Sequence, residues 1–138
     1  MPITQKFSVV CDDVRQENNQ KFIIIGMYTP DMQVAQLPFV LPTLTLFVWL
    51  DSDRPGNFPF RIRLEHLETG RALAEGMGMM QFQKPGVGVT FIRFQGIQIA
   101  NPGAYTFSLQ FDGQSERLLT QFSVLFNVTP LGQQTPGA

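Results

Sequence analysis

Period-two alternation constrains this chain more than any other feature. In residues 60–67, Phe60, Ile62, Leu64 and His66 fall on one face, and Arg61, Arg63 and Glu65 on the other. In 104–111, Tyr105, Phe107, Leu109 and Phe111 alternate with Thr106, Ser108 and Gln110. In 43–50, Leu44, Leu46, Val48 and Leu50 share a face opposite Thr45, Phe47 and Trp49. Successive strand side chains point to opposite faces, so this pattern predicts strands lying over a core. No segment carries a helical period. The 13 Phe suit pleated, half-buried surfaces, while 12 Gly and 10 Pro supply turn residues every ten or so positions. The expectation is a single all-β domain: an immunoglobulin-like antiparallel β-sandwich of seven or eight strands over residues 1–128, with a flexible tail at 129–138.

Along the chain, 3–10 reads as a first strand, 12–20 as a polar, turn-rich loop and 21–28 as a second strand. The second strand's centre, 22–25, is apolar at every position. That suits a central strand buried on both sides, or one facing the core and a partner, paired with the first in an antiparallel hairpin. Residues 32–42 carry Pro38 and Pro42 and read as an extended crossing. After the strand at 60–67, residues 71–74 read as a short return strand. Gly76, Gly78, Pro85, Gly86 and Gly88 loosen 75–88, which reads as a broken or bulged edge strand. Residues 89–99, 104–111 and 118–128 complete the set.

Composition excludes several functions. The formal charge is −1 and Arg61, Arg63, Arg71, Arg93 and Arg117 are scattered, so no basic stripe marks a nucleic-acid partner. No apolar run approaches the roughly 20 residues that span a bilayer, so no membrane partner is expected. The start of the chain lacks a signal peptide's pattern and the single Cys11 cannot form an internal disulfide, which together predict a cytoplasmic protein. The glycosylation acceptor Asn127-Val128-Thr129 is idle in that compartment.

The densest charge lies in Cys11-Asp12-Asp13-Val14-Arg15, followed by Glu17, Asn19, Lys21-Phe22 and Ile25-Gly26-Met27-Tyr28. This stretch resembles the N-terminal signature of the DUF6941 family of small uncharacterised bacterial proteins. The resemblance implies a bacterial β-rich domain with no activity to carry over. Separately, Pro102-Gly103-Ala104-Tyr105-Thr106-Phe107 resembles the start of the penultimate strand of immunoglobulin-like sandwiches, where a Tyr ties its hydroxyl back to the backbone.

The candidate binding residues are Asp12, Asp13, Arg15, Glu17 and Tyr28. Three loop carboxylates could hold calcium, but their spacing fits no calcium loop. An Asp13–Arg15 or Glu17–Arg15 ion pair, with Asn18 and Asn19 shaping the turn, accounts for the same residues. His66 has no metal spacing and continues an inward apolar face, so a packed histidine is expected. Cys11 reads as a thiol packed at a strand end. Phe47, Trp49 and Tyr28 could stack on sugars or mark a partner surface, but core packing against the second sheet uses the same residues. Met77, Met79 and Met80 could form an adaptable surface or a loose edge. Gly86-Val87-Gly88-Val89 lacks the Lys of a phosphate loop.

These readings predict no catalytic constellation, metal or cofactor. The leading expectation is a non-catalytic binding or assembly module acting through a loop end or sheet edge, with a protein partner or self-association. The alternative is a metal- or ligand-dependent enzyme built on Asp12, Asp13 and Glu17, with His66 as a further candidate.

Overall fold

The computed structural model describes residues 3–19, 21–28 and 31–126. Nine strands form: β1 (Ile3–Gln16), β2 (Phe22–Met27), β3 (Asp31–Val34), β4 (Phe39–Ser52), β5 (Gly56–His66), β6 (Ala72–Phe82), β7 (Gly86–Ile99), β8 (Gly103–Phe111) and β9 (Arg117–Phe126). They make two packed sheets, of order β2-β1-β4-β7 and β3-β9-β8-β5-β6. The all-β sandwich expected from the alternation is present. Among the described residues it has nine strands rather than seven or eight, and its pairing is not wholly antiparallel. The extra strand is β3, in the segment read as a crossing, and it pairs parallel with β9, Met32 against Val124. The expected tail and the Asn127 acceptor lie outside the described residues. Among the described residues no helix is long and apolar enough to cross a membrane.

Alternation places the core. Leu44, Leu46, Val48 and Leu50 of β4 face Phe60, Ile62 and Leu64 of β5 and Tyr105, Phe107, Leu109 and Phe111 of β8 in one buried cluster between the sheets. Thr106 and Ser108, expected outside, are buried as well, and Ser108 lies beside Arg63 and Leu118 in the ladder. The Tyr105 hydroxyl donates to the Asn101 carbonyl at 2.6 Å, as its position near the start of the penultimate strand predicts.

The other face of β4 works differently from the expectation. Phe47 does not reach the second sheet, because Leu46 and Val48 already occupy that side. It packs outward with Val9, Cys11 and Val14, and Phe22, Val89 and Phe91 close over the cluster. Its ring meets Phe22 edge-on at 5.4 Å and Phe7 at 6.4 Å between centroids. Trp49 lies beside Phe7 in the register and stays 42% exposed.

Residues 72–82 and 86–99 form two long strands in different sheets, joined by bends at 83–85, where the sequence suggested one broken or bulged edge strand; the edge position itself is as expected. Strand β6 lies at the edge of the five-stranded sheet and β7 at the edge of the other. The glycines of β6 make room rather than loosen the strand. A Cβ on Gly78 would stand 2.7 Å from Cζ of the buried Phe60, and one on Gly76 would stand 3.0 Å from Ile92 Cγ2. Of the methionines, Met80 is core, while Met77 and Met79 are exposed. His66 is packed as expected: Nδ1 lies 2.9 Å from Thr69 Oγ1 and Nε2 lies 2.9 Å from the Pro102 carbonyl, so both ring nitrogens are engaged.

Gly78→Ala should therefore destabilise the domain by about 1–3 kcal/mol, the usual cost of overpacking a filled core. Urea or thermal unfolding measures it, and an unchanged midpoint would mean that the Phe60 ring has space to retreat.

Candidate functional site

Of the candidate residues, Asp12, Asp13 and Arg15 sit in a strand rather than in a loop. Strand β1 continues through Asp12 and Asp13 to Gln16, and only a tight turn separates it from β2. Glu17 N–H donates to the Lys21 carbonyl at 2.7 Å, and the Asn19 side-chain oxygen accepts from Lys21 N–H at 3.3 Å. The polar residues that suggested a loop belong to a strand whose alternation slips once. Val10 faces the main core and Cys11 the outer cluster, yet Val14, three residues on, returns to the outer cluster. Opposite the slip the ladder pairs Cys11 with Met27 and Asp13 with Ile25. Gly26, between them, takes φ +65°, which glycine adopts without steric cost. A Cβ there would also stand 2.9 Å from Asp12 Cγ.

At the slip the two neighbouring carboxylates have different partners. Asp12 accepts the Tyr28 hydroxyl at 2.7 Å, and Thr45 Oγ1 donates to the Asp12 carbonyl at 3.1 Å. Asp13 Oδ1 accepts both Nε and one terminal nitrogen of Arg93, at 2.9 and 2.6 Å, and the Val14 N–H at 2.9 Å. The sequence reading paired Arg15 with Asp13 or with Glu17; the pair with Asp13 exists but is stretched to 4.0 Å. Arg93 is the stronger partner and was missed, since it lies 80 residues away. Only the joint register of Cys11 with Thr45 and Thr45 with Arg93 brings it near. Glu17 is exposed in the turn, so the structure gathers Asp12, Asp13, Arg15 and Tyr28 and leaves Glu17 apart.

Electrostatics follow from these contacts. The Arg93 hydrogen bonds, helped by the Val14 N–H, hold the Asp13 carboxyl below the usual carboxylate range. Burial, then the hydrogen bond to Asp12, pushes the Tyr28 phenol up to about 12. Burial, then the Asp12 charge, pushes the Cys11 thiol up to about 11. A thiol with a raised pKa is a poor nucleophile, and this one is fully buried with the Asp13 and Thr45 carbonyls 3.4 and 3.7 Å from its sulfur. Each carboxylate already holds donors, so the arrangement fixes the β1–β2 hairpin to β4 and β7. Among the described residues no three His, Cys, Asp or Glu side chains stand close enough together to hold a metal ion.

The second strand departs most from expectation. It is an edge strand of the four-stranded sheet rather than a central one. Ile23, Ile24, Ile25 and Met27 are 43, 36, 38 and 59% exposed. Only Phe22 packs, meeting Phe47 and Phe91, and an open groove of about 340 Å³ beside it is lined by Gln16, Phe22, Val89, Thr90 and Phe91. An apolar, uncharged edge is uncommon on a monomer, because an open edge invites another strand. The apolar run that read as a buried strand is thus apolar for another reason.

Comparison with known proteins accords with this architecture. The profile of a family described as a family of unknown function, DUF6941, matches residues 6–124. The chain belongs to that family. No curated protein matches it. Among solved structures, this DUF6941 protein is similar to the C-terminal domain of Wzt, with a TM-score of 0.51 at 10% identity over 91% of this chain and 75% of that one. It is also similar to part of a mutant β-glucosidase from Listeria innocua in complex with laminaribiose, with a TM-score of 0.52 at 8% identity, over 92% of this chain and 16% of that one. A glucose complex of β-glucosidase from Listeria innocua superposes at a TM-score of 0.47 and 10% identity, over 69% of this chain. The chain spans only 14% of that enzyme's length. At identities this low, the likeness to the Wzt domain and to the laminaribiose complex shows a shared fold and nothing about activity.

Two outcomes are expected from the site. Asp13 has a lowered pKa in the folded state, so its contribution to stability is present above the unfolded carboxyl pKa and is lost as pH falls through the folded value. Wild-type melting should therefore drop more steeply below about pH 4 than melting of Asp13→Asn, for which that linkage is gone. Equal slopes in a pH series of melts would remove Asp13 from the account. Cys11 should also resist a thiol reagent in the folded protein and react fully in denaturant. Fast labelling of the native state would mean that β1 opens locally.

Proposed function

We propose that this DUF6941 protein is a non-catalytic binding and assembly module that works through the open edge of its four-stranded sheet. The observation that carries the reading is the exposed run Ile23, Ile24, Ile25 and Met27 on edge strand β2. Its backbone offers a further reason. The Glu17–Lys21 hydrogen bond sets the phase of the β1–β2 ladder. Antiparallel ladders alternate hydrogen-bonded and non-bonded pairs, so the pairs Arg15–Ile23 and Asp13–Ile25 exchange bonds and Phe22 and Ile24 turn their N–H and C=O groups outward. A strand laid along β2 gains main-chain hydrogen bonds there and apolar contacts on both faces.

In this reading the charged residues serve the edge. Asp12 and Tyr28 clamp the end of β2 to β1, and Asp13 with Arg93 ties β1 across β4 to β7. The edge strand is thereby anchored to its neighbours, which lowers the cost of ordering it on binding.

The test is a photo-crosslinking side chain placed at position 24 of the full chain and irradiated in cells. An adduct is expected there and not at the exposed Met77, on the opposite sheet's edge strand. Absence of any adduct at position 24 would overturn the proposal.

A further inference from the structure

We infer that the occupant of this edge is the β2 strand of a second copy of the chain, joined about a two-fold axis at Ile24. The inference rests on the edge-binding reading and names its partner. Two identical antiparallel strands meeting about a two-fold normal to the sheet pair residues whose numbers sum to a constant. Centring on Ile24 makes it exchange N–H···O bonds with its own copy, and sets Phe22 against Gly26 of the second copy. The outward backbone groups of Ile24 are then used, and the joint ends on each side at Gly26, where the ladder changes phase and Tyr28 N–H reaches the Val10 carbonyl at 2.8 Å. Phe22 meets the one position in the strand that carries no side chain. A centre at Ile23 or Ile25 points the bonding groups toward β1, and a centre at Phe22 sets its side chain against its own copy.

Charge is complementary in the same register. Lys21 comes opposite Met27 of the second copy, which pairs with Cys11, the neighbour of Asp12. Phe22 packs on the outer face, so Lys21, one residue before it, points to the inner side. Asp12 is on that side too, because it bonds Tyr28, which packs against the main core. A two-fold normal to the sheet keeps inner side with inner side. Lys21 and Asp12 of the second copy then stand two strand spacings apart, about 10 Å between Cα atoms, a gap their side chains close together. The symmetry makes this pair twice, once at each end of the joint. Between those ends nothing is charged: Phe22, Ile23, Ile24, Ile25, Gly26 and Met27 are the whole strand. The product is a continuous eight-stranded sheet, with the aromatic clusters around Phe22 of each copy side by side.

Sedimentation velocity on the purified full chain, across the micromolar range, tests the joint. Wild type should sediment as a dimer. Ile24→Pro should be a monomer with an unchanged melting midpoint, since the N–H removed is one that β1 does not use. If that variant fails to fold, Ile24→Lys decides, and it should also be monomeric. Lys21→Glu should weaken association about tenfold, with an effect that fades as salt rises. A wild-type monomer throughout, or a dimer that survives both Ile24 variants, would overturn the inference. The crosslinker at position 24 separates the two readings. An adduct of a different protein on a monomeric chain leaves edge binding standing and removes self-pairing, whereas no adduct removes both.

Discussion

Strand β4 is buried on both faces, and the rest of the molecule depends on that. On one side Leu44, Leu46, Val48 and Leu50 form the centre of the main core, and on the other Thr45 and Phe47 are buried with Cys11, Val9 and Val14 among their neighbours. A strand with one wet face can slip by two residues at modest cost. A strand with two packed faces cannot slip at all without opening one of them. Fixing β4 fixes β1 and β7, its partners on either side. Asp13 and Arg93 meet because those two strands are locked to the same middle one.

The slip in β1 turns this rigid frame into a surface. One strand ordinarily shows alternate residues to alternate faces, so adjacent carboxylates would point apart with no further design. Here Asp12 and Asp13 sit where the alternation resets, with Gly26 absorbing the distortion on β2. Charge is thereby spent on anchoring the hairpin rather than on lining a cavity. The consequence is a short apolar strand held at the margin of the sheet by its neighbours' polar groups instead of by its own packing.

Much of the fold was legible in the sequence because burial on one face writes itself as alternation. The inward residues of β4, β5 and β8 were all readable in that way, and Tyr105 found its backbone partner where its position indicated. Four things were not readable. Phe22 to Ile25 is apolar on both faces, and sequence does not distinguish a strand buried by its own fold from one left open at an edge. Asp12 to Gln16 is polar enough to suggest a loop, yet it is strand, since backbone pairing with Ile23 and Ile24 outweighs side-chain preference. Gly76 and Gly78 looked like interruptions, when their missing side chains are filled by Phe60 and Ile92 from neighbouring strands. The partnership of Asp13 with Arg93 needed two strand registers at once, which no local pattern encodes.

The parallel pairing of β3 with β9 bears on how the chain is made. Asp31 to Val34 finds its strand partner in Ser123 to Phe126, about two-thirds of the chain's length away. On a ribosome the first sheet's hairpin and β4 emerge early, while β3 waits unpaired until the last strand is synthesised. Late, long-range closure of this kind is slow, because the loop must be ordered before the contact rewards it. The five-stranded sheet is therefore completed last and from its far edge, and a nascent chain stalled before β9 would present Met32 and Val34 to its surroundings instead of burying them.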